Sequence, residues 1–329
     1  MPEVTRRSML AAAALGGSAS GLAWTARAQA PWPERTVVLI VPYAPGGSND
    51  VVARLLAPKL QALLGRSIVV ENRAGAGGAI GTAQVARSAP DGYTLLVSSA
   101  SNHVMNPLVV PDQGYDVRQA FDGVTMLVDV PLALTVANKL GVHDVPALLA
   151  LLKREPGKHS FASSGVGGSQ HLAGELFRLR ADVDIVHVPY RGGGPALNDL
   201  VAGQVSMGFL NLPTALPQAE AGKVTILAVA GEKRSALKPD LPTVAEAGVP
   251  GFAVRSWTAL FAPHGVPPAV IQRLNAAIRE AMADPALQAR LQELGVEPDL
   301  SEPQALDAFV REEFALWGPV IKAAHVTAQ

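Results

Sequence analysis

The chain of 329 residues has no cysteine, little charge and few aromatic rings: 17% of its residues are charged and 5% are aromatic. Without cysteine there is no disulfide, no thiolate metal site and no cysteine nucleophile. An oxidising compartment stays open to the chain, because a large core can dispense with covalent cross-links. Its 27 Lys and Arg are balanced by 28 Asp and Glu, which leaves no basic face for the phosphate contacts of a nucleic-acid binder. The histidines at 103, 143, 159, 171, 187, 264 and 325 show no metal-ligand spacing, so neither a metal nor another cofactor is expected. Long apolar runs are missing too. Beyond residue 30, Pro, Gly or charge interrupts every apolar stretch before the roughly 20 residues that a membrane span needs. Abundant instead are glycine and proline, at 31 and 26 residues.

The first thirty residues read as a removable segment. Arg6, Arg7, Ser8, Met9 and Leu10 form a twin-arginine pattern, and an apolar stretch rich in Ala and Gly follows to Trp24. Ala26, Ala28 and Ala30 then give two overlapping small-x-small exits. A charged head, a short apolar body and a small-residue exit describe an export signal of the Tat type over residues 1–30. Cleavage is expected near Ala28 or Ala30, with a periplasmic mature chain and no stable membrane insertion. An N-terminal anchor fits less well, since the apolar stretch is short and glycine-rich for a span.

The mature part alternates strand and helix. Residues 36–41 are a continuous β-branched apolar run, as in a strand buried on both faces. A helical period follows through Val52, Leu55, Leu56, Leu60, Leu63 and Leu64, and Gly65 closes it. Strands at 67–71 and 93–97 bracket a helix near 79–86. After the middle of the chain the pattern restarts, with strands at 159–162, 185–188, 205–210 and 224–228. Helices at 145–152, 170–179, 195–201 and 213–220 lie between them, and the chain is helical from Pro267, with breaks at Pro285 and Pro303. This spacing predicts an α/β fold of two lobes, each a mainly parallel sheet flanked by helices.

Glycine-rich loops punctuate the strand ends, and there the ligands of open α/β sheets bind. Pro45, Gly46, Gly47, Ser48, Asn49 and Asp50 lie between a strand and a helix, where unpaired N–H groups and the helix dipole favour an anion. No G-K-[ST] follows, so this is no Walker A loop. The glycines at 75, 77, 78 and 81 miss the dinucleotide spacing, and no acidic residue follows at the required distance. Ser163, Ser164, Gly165 and Ser169 form a similar loop before His171 without the G-x-S-x-G of a nucleophile elbow. Tyr190 and Arg191 stand at a further strand exit, ahead of Gly192, Gly193 and Gly194. Each loop singly fits a plain turn with a capping residue; together they suggest two facing crevices around a small polar anion.

Several stretches carry a family resemblance. Residues 41–50 (VPYAPGGSND), 69–78 (VVENRAGAGG), 90–96 (PDGYTLL), 171–177 (HLAGELF), 187–192 (HVPYRG) and 240–248 (DLPTVAEAG) resemble the Bug family, the substrate-binding components of tripartite tricarboxylate transporters. The likeness runs in order over essentially the whole mature chain. It implies a two-lobed periplasmic binding protein of the Venus-flytrap, type II-like kind, with lobe one at 31–129 plus 252–329 and lobe two at 130–251. It further implies a monomer that closes on a small organic carboxylate and presents it to transporter membrane subunits or a sensor. Carried over, residues 45–50 grip a carboxylate from lobe one, with Ser99, Ser101 and Asn102 as wall residues. Ser163, Ser164, Gly165, Ser169 and His171 meet the ligand from lobe two, with Tyr190 and Arg191 on its lip. Two departures stand out: Ser206 replaces the family's usual Asp, and Leu210 stands where polar residues are common. If Leu210 faces the cleft, a ligand with an apolar or aromatic portion is expected. The competing reading is an exported serine hydrolase that pairs a Ser/Gly-loop serine with His171.

Overall fold

The computed structural model describes residues 32–110 and 113–327, so the export signal read at residues 1–30 lies outside the described residues. Strand β1 (Val37–Val41) is the apolar run at the start of the mature chain, and it is paired in parallel with β2 (Ile68–Asn72) and β3 (Thr94–Ser99). Between them lie α1 (Ser48–Leu64) and α2 (Ala79–Ala86). Val52, Leu56 and Leu60, one turn apart, are buried along one face of α1. That helix ends at Gly65, whose φ of 69° lies in the left-handed region that glycine enters freely.

A π-helical turn (Ser101–Met105) leads through two short helices, α3 (Asn106–Val109) and α4 (Val117–Ala120), into β4 (Phe121–Asp129). From there the chain passes through Val130 and Pro131 into the second sheet at β5 (Leu132–Ala137). Lobe two continues with α5 (Val145–Arg154), β6 (His159–Ser163), α6 (Ser169–Ala181), β7 (Ile185–Pro189), α7 (Gly193–Val201), β8 (Met207–Asn211), α8 (Leu212–Glu220) and β9 (Val224–Val229). Residues 230–256 return to the first sheet as β10 (Trp257–Pro263), followed by α9 (Pro268–Met282), α10 (Pro285–Glu293), the two-residue β11 (Glu297–Pro298) and α11 (Pro303–Ala323).

The fold is the expected two-lobed α/β architecture, with sheets that are mixed. Lobe one is a six-stranded sheet in the order β11-β4-β10-β3-β1-β2, and lobe two a five-stranded sheet in the order β7-β6-β8-β5-β9. The parallel pairing expected from the alternating pattern holds in the βαβ half of each sheet. The other half is antiparallel, because β4, β5 and β10 carry the chain across and back between the sheets. The two crossings run side by side: Val130 N–H donates to Ser256 O at 3.0 Å, and Val254 N–H to Ala230 O at 2.8 Å.

Buried polar groups brace this frame. Glu313 on α11 accepts the indole N–H groups of Trp257 (3.0 Å) and Trp317 (3.3 Å), joining the C-terminal helix to β10. In lobe one the buried His103 ring stacks on Phe261 with centroids 3.8 Å apart. Beneath the loops of lobe two, His171 and His187 stack at 3.7 Å, and His187 stacks on Phe161 at 4.9 Å. Burial pushes His103 down to about 3 and His171 to about 4. His187 falls to about 3, through burial and then through its neighbour His171.

Two predictions follow from this packing. In a helix interior, Gly→Ala ordinarily stabilises by about 1 kcal/mol. At Gly174 the added Cβ would lie 2.1 Å from the Phe161 ring, so Gly174→Ala should instead destabilise by roughly 1–3 kcal/mol, read as a lower denaturation midpoint. The three imidazoles titrate near 6.5 in the unfolded chain and well below that when folded. The unfolded state therefore takes up protons first as pH falls, so stability is complete above about pH 6.5 and declines toward pH 4. Urea midpoints measured from pH 8 to pH 4 should show that decline, and His187→Asn should make it shallower.

Candidate functional site

The parallel strands β6, β7 and β8 end on the same edge of the lobe-two sheet, and the helix after each begins there. First-turn N–H groups have no partner within their helix, and each N-terminus carries roughly half a positive charge. Ser169 and Gln170 of α6, Gly193 and Gly194 of α7, and Asn211 and Thr214 at the start of α8 all line one cavity of about 350 Å³. Ser101 from lobe one and Ser256 from the returning segment complete its wall, with Ser164, Leu197 and Leu210.

Side-chain bonds fix this arrangement. Ser164 N–H donates to Gln170 Oε1 at 2.9 Å, and Gln170 Nε2 donates to Asn211 Oδ1 at 3.1 Å, tying the starts of α6 and α8 together. The loop between β6 and α6 turns through Gly165 and Gly167, with φ of 144° and 75°, values that L side chains seldom adopt. Across the cleft, Ser101 Oγ and Ser169 Oγ lie 3.3 Å apart. A second cavity of about 810 Å³ shares Ser101 and Ser164 with the first and is bounded by Tyr43, Ala76, Ala79, Val109, Val110 and Val166, among others. Among the described residues, no Lys, Arg, His, Asp or Glu lines either cavity.

Of the residues singled out from sequence, Ser101, Ser164, Gly165 and Ser169 line these cavities. Pro45, Gly46, Gly47 and Ser48 are exposed on lobe one and line neither. Asn49 is buried: its Oδ1 accepts from Thr258 Oγ1 at 2.9 Å, and its Nδ2 has no partner among the described residues. Asp50 turns inward, accepting from Gly46 N–H (2.9 Å), Asn72 Nδ2 (2.9 Å) and Arg54 Nε (3.0 Å). Burial alone would raise its carboxyl; these donors hold it below the ordinary value. Asn102 Oδ1 accepts from Ser98 Oγ and Ser99 N–H, so it caps the end of β3. Ser99 Oγ lies 3.3 Å from the Tyr43 hydroxyl, a phenol that burial pushes up to about 12. Tyr190 donates to Asp199 Oδ2 at 2.7 Å; burial and that carboxylate push its phenol to about 12 as well. Arg191 is exposed and lines neither cavity.

The hydrolase alternative built on His171 fails on geometry. His171 Nδ1 accepts the Gly167 N–H at 3.0 Å, and its Nε2 faces Glu175 at 3.8 Å, so the ring is engaged away from any serine. Ser163 Oγ does lie 2.7 Å from His187 Nε2, yet it is fully buried and also accepts the Gly165 N–H. It has no room to attack a substrate. Sequence reading passed over Gln170, Thr214 and Ser256, and did not single out Gly193, Gly194 or Asn211 as site residues. The rule that ligands lie beyond strand ends, applied to β7 and β8, finds the last three; nothing in the sequence marks Ser256, which depends on the path of the return crossing. Leu210 does face the smaller cavity, whereas Ser206 lines neither and holds His159 Nδ1 at 3.1 Å.

Comparison with known proteins agrees with this architecture. Residues 52–326 match the model of the tripartite tricarboxylate transporter family receptor. Protein BugT of Bordetella pertussis is 41% identical over 292 residues, 88% of this chain and 90% of BugT. An R. palustris protein solved with adipate is 37% identical with a TM-score of 0.77, covering 90% of this chain and 99% of that one. MatC from Rhodopseudomonas palustris, solved with bound malate, is 34% identical with a TM-score of 0.73, covering 88% of this chain and 99% of that one. The chain therefore belongs to the tripartite tricarboxylate transporter receptor family, the Bug proteins, which are periplasmic solute-binding receptors and not enzymes.

Proposed function

We propose that the protein captures a small organic carboxylate between its lobes, closes on it by a hinge motion and delivers it to the membrane subunits of a tripartite transporter or to a sensor. The observation that carries this reading is the meeting of three helix N-termini at one uncharged cavity whose opposite wall includes Ser101 of the other lobe. Oriented N–H groups and hydroxyls attract an anion without a buried cation. Such capture stays reversible, and micromolar affinity corresponds to only about −8 kcal/mol. Adipate and malate in the related structures are both carboxylates.

In this reading residues 1–30 are a Tat export signal cut near Ala28 or Ala30, and the mature protein works as a monomer. The lobes divide at 129/130 and 251/252, near the Val130–Ser256 and Val254–Ala230 bonds of the two crossings. Ser101, Ser164, Gly165 and Ser169 bind the ligand directly. Residues 45–48 sit exposed on lobe one and join the ligand when the lobes close, while Asn49 and Asp50 hold that loop in shape. Ser99, Asn102, Ser163 and His171 position the walls from behind, and Tyr190 and Arg191 border the lobe-two rim.

Thermal shift against a panel of carboxylates tests the reading. A ligand at 100 times its Kd should stabilise the folded state by about 2.7 kcal/mol, and a panel in which no carboxylate raises the melting temperature would overturn it. A Cβ at Gly194 meets nothing within 4 Å, so Gly194→Val should fold normally, crowd the cavity and weaken binding at least tenfold. A Cβ at Gly47 meets only Ala44 O, at 4.0 Å. Gly47→Val should weaken binding as well; unchanged affinity would remove residues 45–48 from the site.

A further inference from the structure

We infer that the ligand is an acid with an apolar body: one carboxylate in the smaller cavity, and an aliphatic or aromatic portion without hydroxyl or amino groups in the larger one. This rests on the solute-binding reading above and narrows its ligand class. Charge comes first. Each helix N-terminus offers roughly half a positive charge, so the three that meet at the smaller cavity are matched to about one carboxylate. A tricarboxylate would bring further negative charges into a cleft where, among the described residues, no Lys or Arg lines either cavity. The nearby Arg54 is already committed to Asp50 and Asn72.

The walls of the larger cavity argue the same way. Val109, Val110 and Val166 are each left partly exposed there, beside Ala76, Ala79 and the Tyr43 ring. Three valines facing an open cavity are apolar surface that a ligand body can cover, which favours binding in proportion to the area removed from water. A hydroxyl placed against them would lose its water partners without replacement. Polar groups in the same cavity are largely spent: Asn106 Nδ2 donates to the carbonyls of Ala76 and Gly77, and Tyr43 pairs with Ser99. Gln113 accepts the Tyr115 hydroxyl through Oε1 at 2.8 Å. Leu197 and Leu210 extend the apolar surface into the smaller cavity.

Calorimetric titration of the full mature protein with hexanoate, cyclohexanecarboxylate and phenylacetate, and in parallel with citrate, malate and aspartate, tests the inference. At least one apolar-bodied acid is expected to bind tenfold or more tighter than all three hydrophilic acids. The double variant Val110→Asn/Val166→Asn, checked for folding by its melting temperature, should lose at least tenfold affinity for that acid while binding hydrophilic acids no more weakly than before. Citrate, malate or aspartate binding as tightly as the best apolar-bodied acid would overturn the inference and leave the solute-binding reading standing. Binding of none of the six would overturn both. Should the double variant fail to fold, the comparison of acids on the unaltered protein decides the matter.

Discussion

Parallel strands that end at a common edge place the helices after them with their N-termini side by side, and the cleft chemistry depends on that geometry. In lobe two, β6 is paired in parallel with both β7 and β8, so α6, α7 and α8 all begin at the same rim. Each start is shaped by a small or capping residue: Gly168, Gly192 and Asn211 are the respective N-caps. Side-chain caps are absent at all three; Leu212 N–H of α8 donates to Pro131 O at 2.7 Å, and Pro195 and Pro213 carry no N–H, so α6 is left with the fullest set of first-turn donors. A serine or aspartate cap would have consumed one of those donors. An anion site made this way needs no buried lysine or arginine, and it avoids the desolvation that such a charge would cost while the cleft is open.

The antiparallel strands serve a different purpose. β4 and β5 form one nearly continuous path from sheet to sheet, interrupted at Val130 and Pro131, and the return crossing runs beside it with hydrogen bonds at Val130–Ser256 and Val254–Ala230. Two adjacent crossings define an axis about which the lobes can turn with small changes in a few dihedral angles. On the lobe-one side, Glu297 accepts from Ser235 Oγ at 2.6 Å and from Ala236 N–H at 2.9 Å, bonds that link β11 to the segment following β9. Arg255, on the return crossing, pairs with Asp129 at the end of β4 and with Asp299. The return crossing is thus tied to lobe one by polar bonds at Arg255 and Glu297.

Much of the fold was legible in the sequence, for identifiable reasons. β1 and α1 were readable because a β-branched run and a stripe at positions 52, 56 and 60 carry their periods locally, and Gly65 marks the stop. β4, β5 and β10 were not assigned. Each is almost wholly buried and pairs with strands far away in the chain, so the alternation that betrays a half-buried strand is missing. The site was legible to a lesser degree. Asp50, Asn102 and Ser163 were expected at the ligand because the family resemblance carries site roles onto these polar residues at strand ends. Their partners turn out to be Asn72, Ser98 and His187, brought close only by the fold. A polar side chain in a loop announces a hydrogen bond, and the sequence leaves open whether a ligand or the loop itself receives it.

That division of labour explains how the cleft stays uncharged. His171 belongs to the first turn of α6, the helix whose N-terminus faces the smaller cavity, and a protonated imidazole there would add a full positive charge beside the anion site. Burial disfavours that charge and holds the pKa at about 4, and the Gly167 N–H occupies Nδ1, so the ring stays neutral down to about that pH. Asp50 sits correspondingly at the start of α1 in lobe one, and its negative charge is absorbed by Arg54, Asn72 and Gly46 instead of facing the cleft. His171 and Asp50 are both turned inward and used to stiffen their loops. What then faces the ligand is a set of neutral donors with fixed directions, so discrimination between acids passes from net charge to shape and to the apolar walls, where Val109, Val110, Val166 and Leu210 stand.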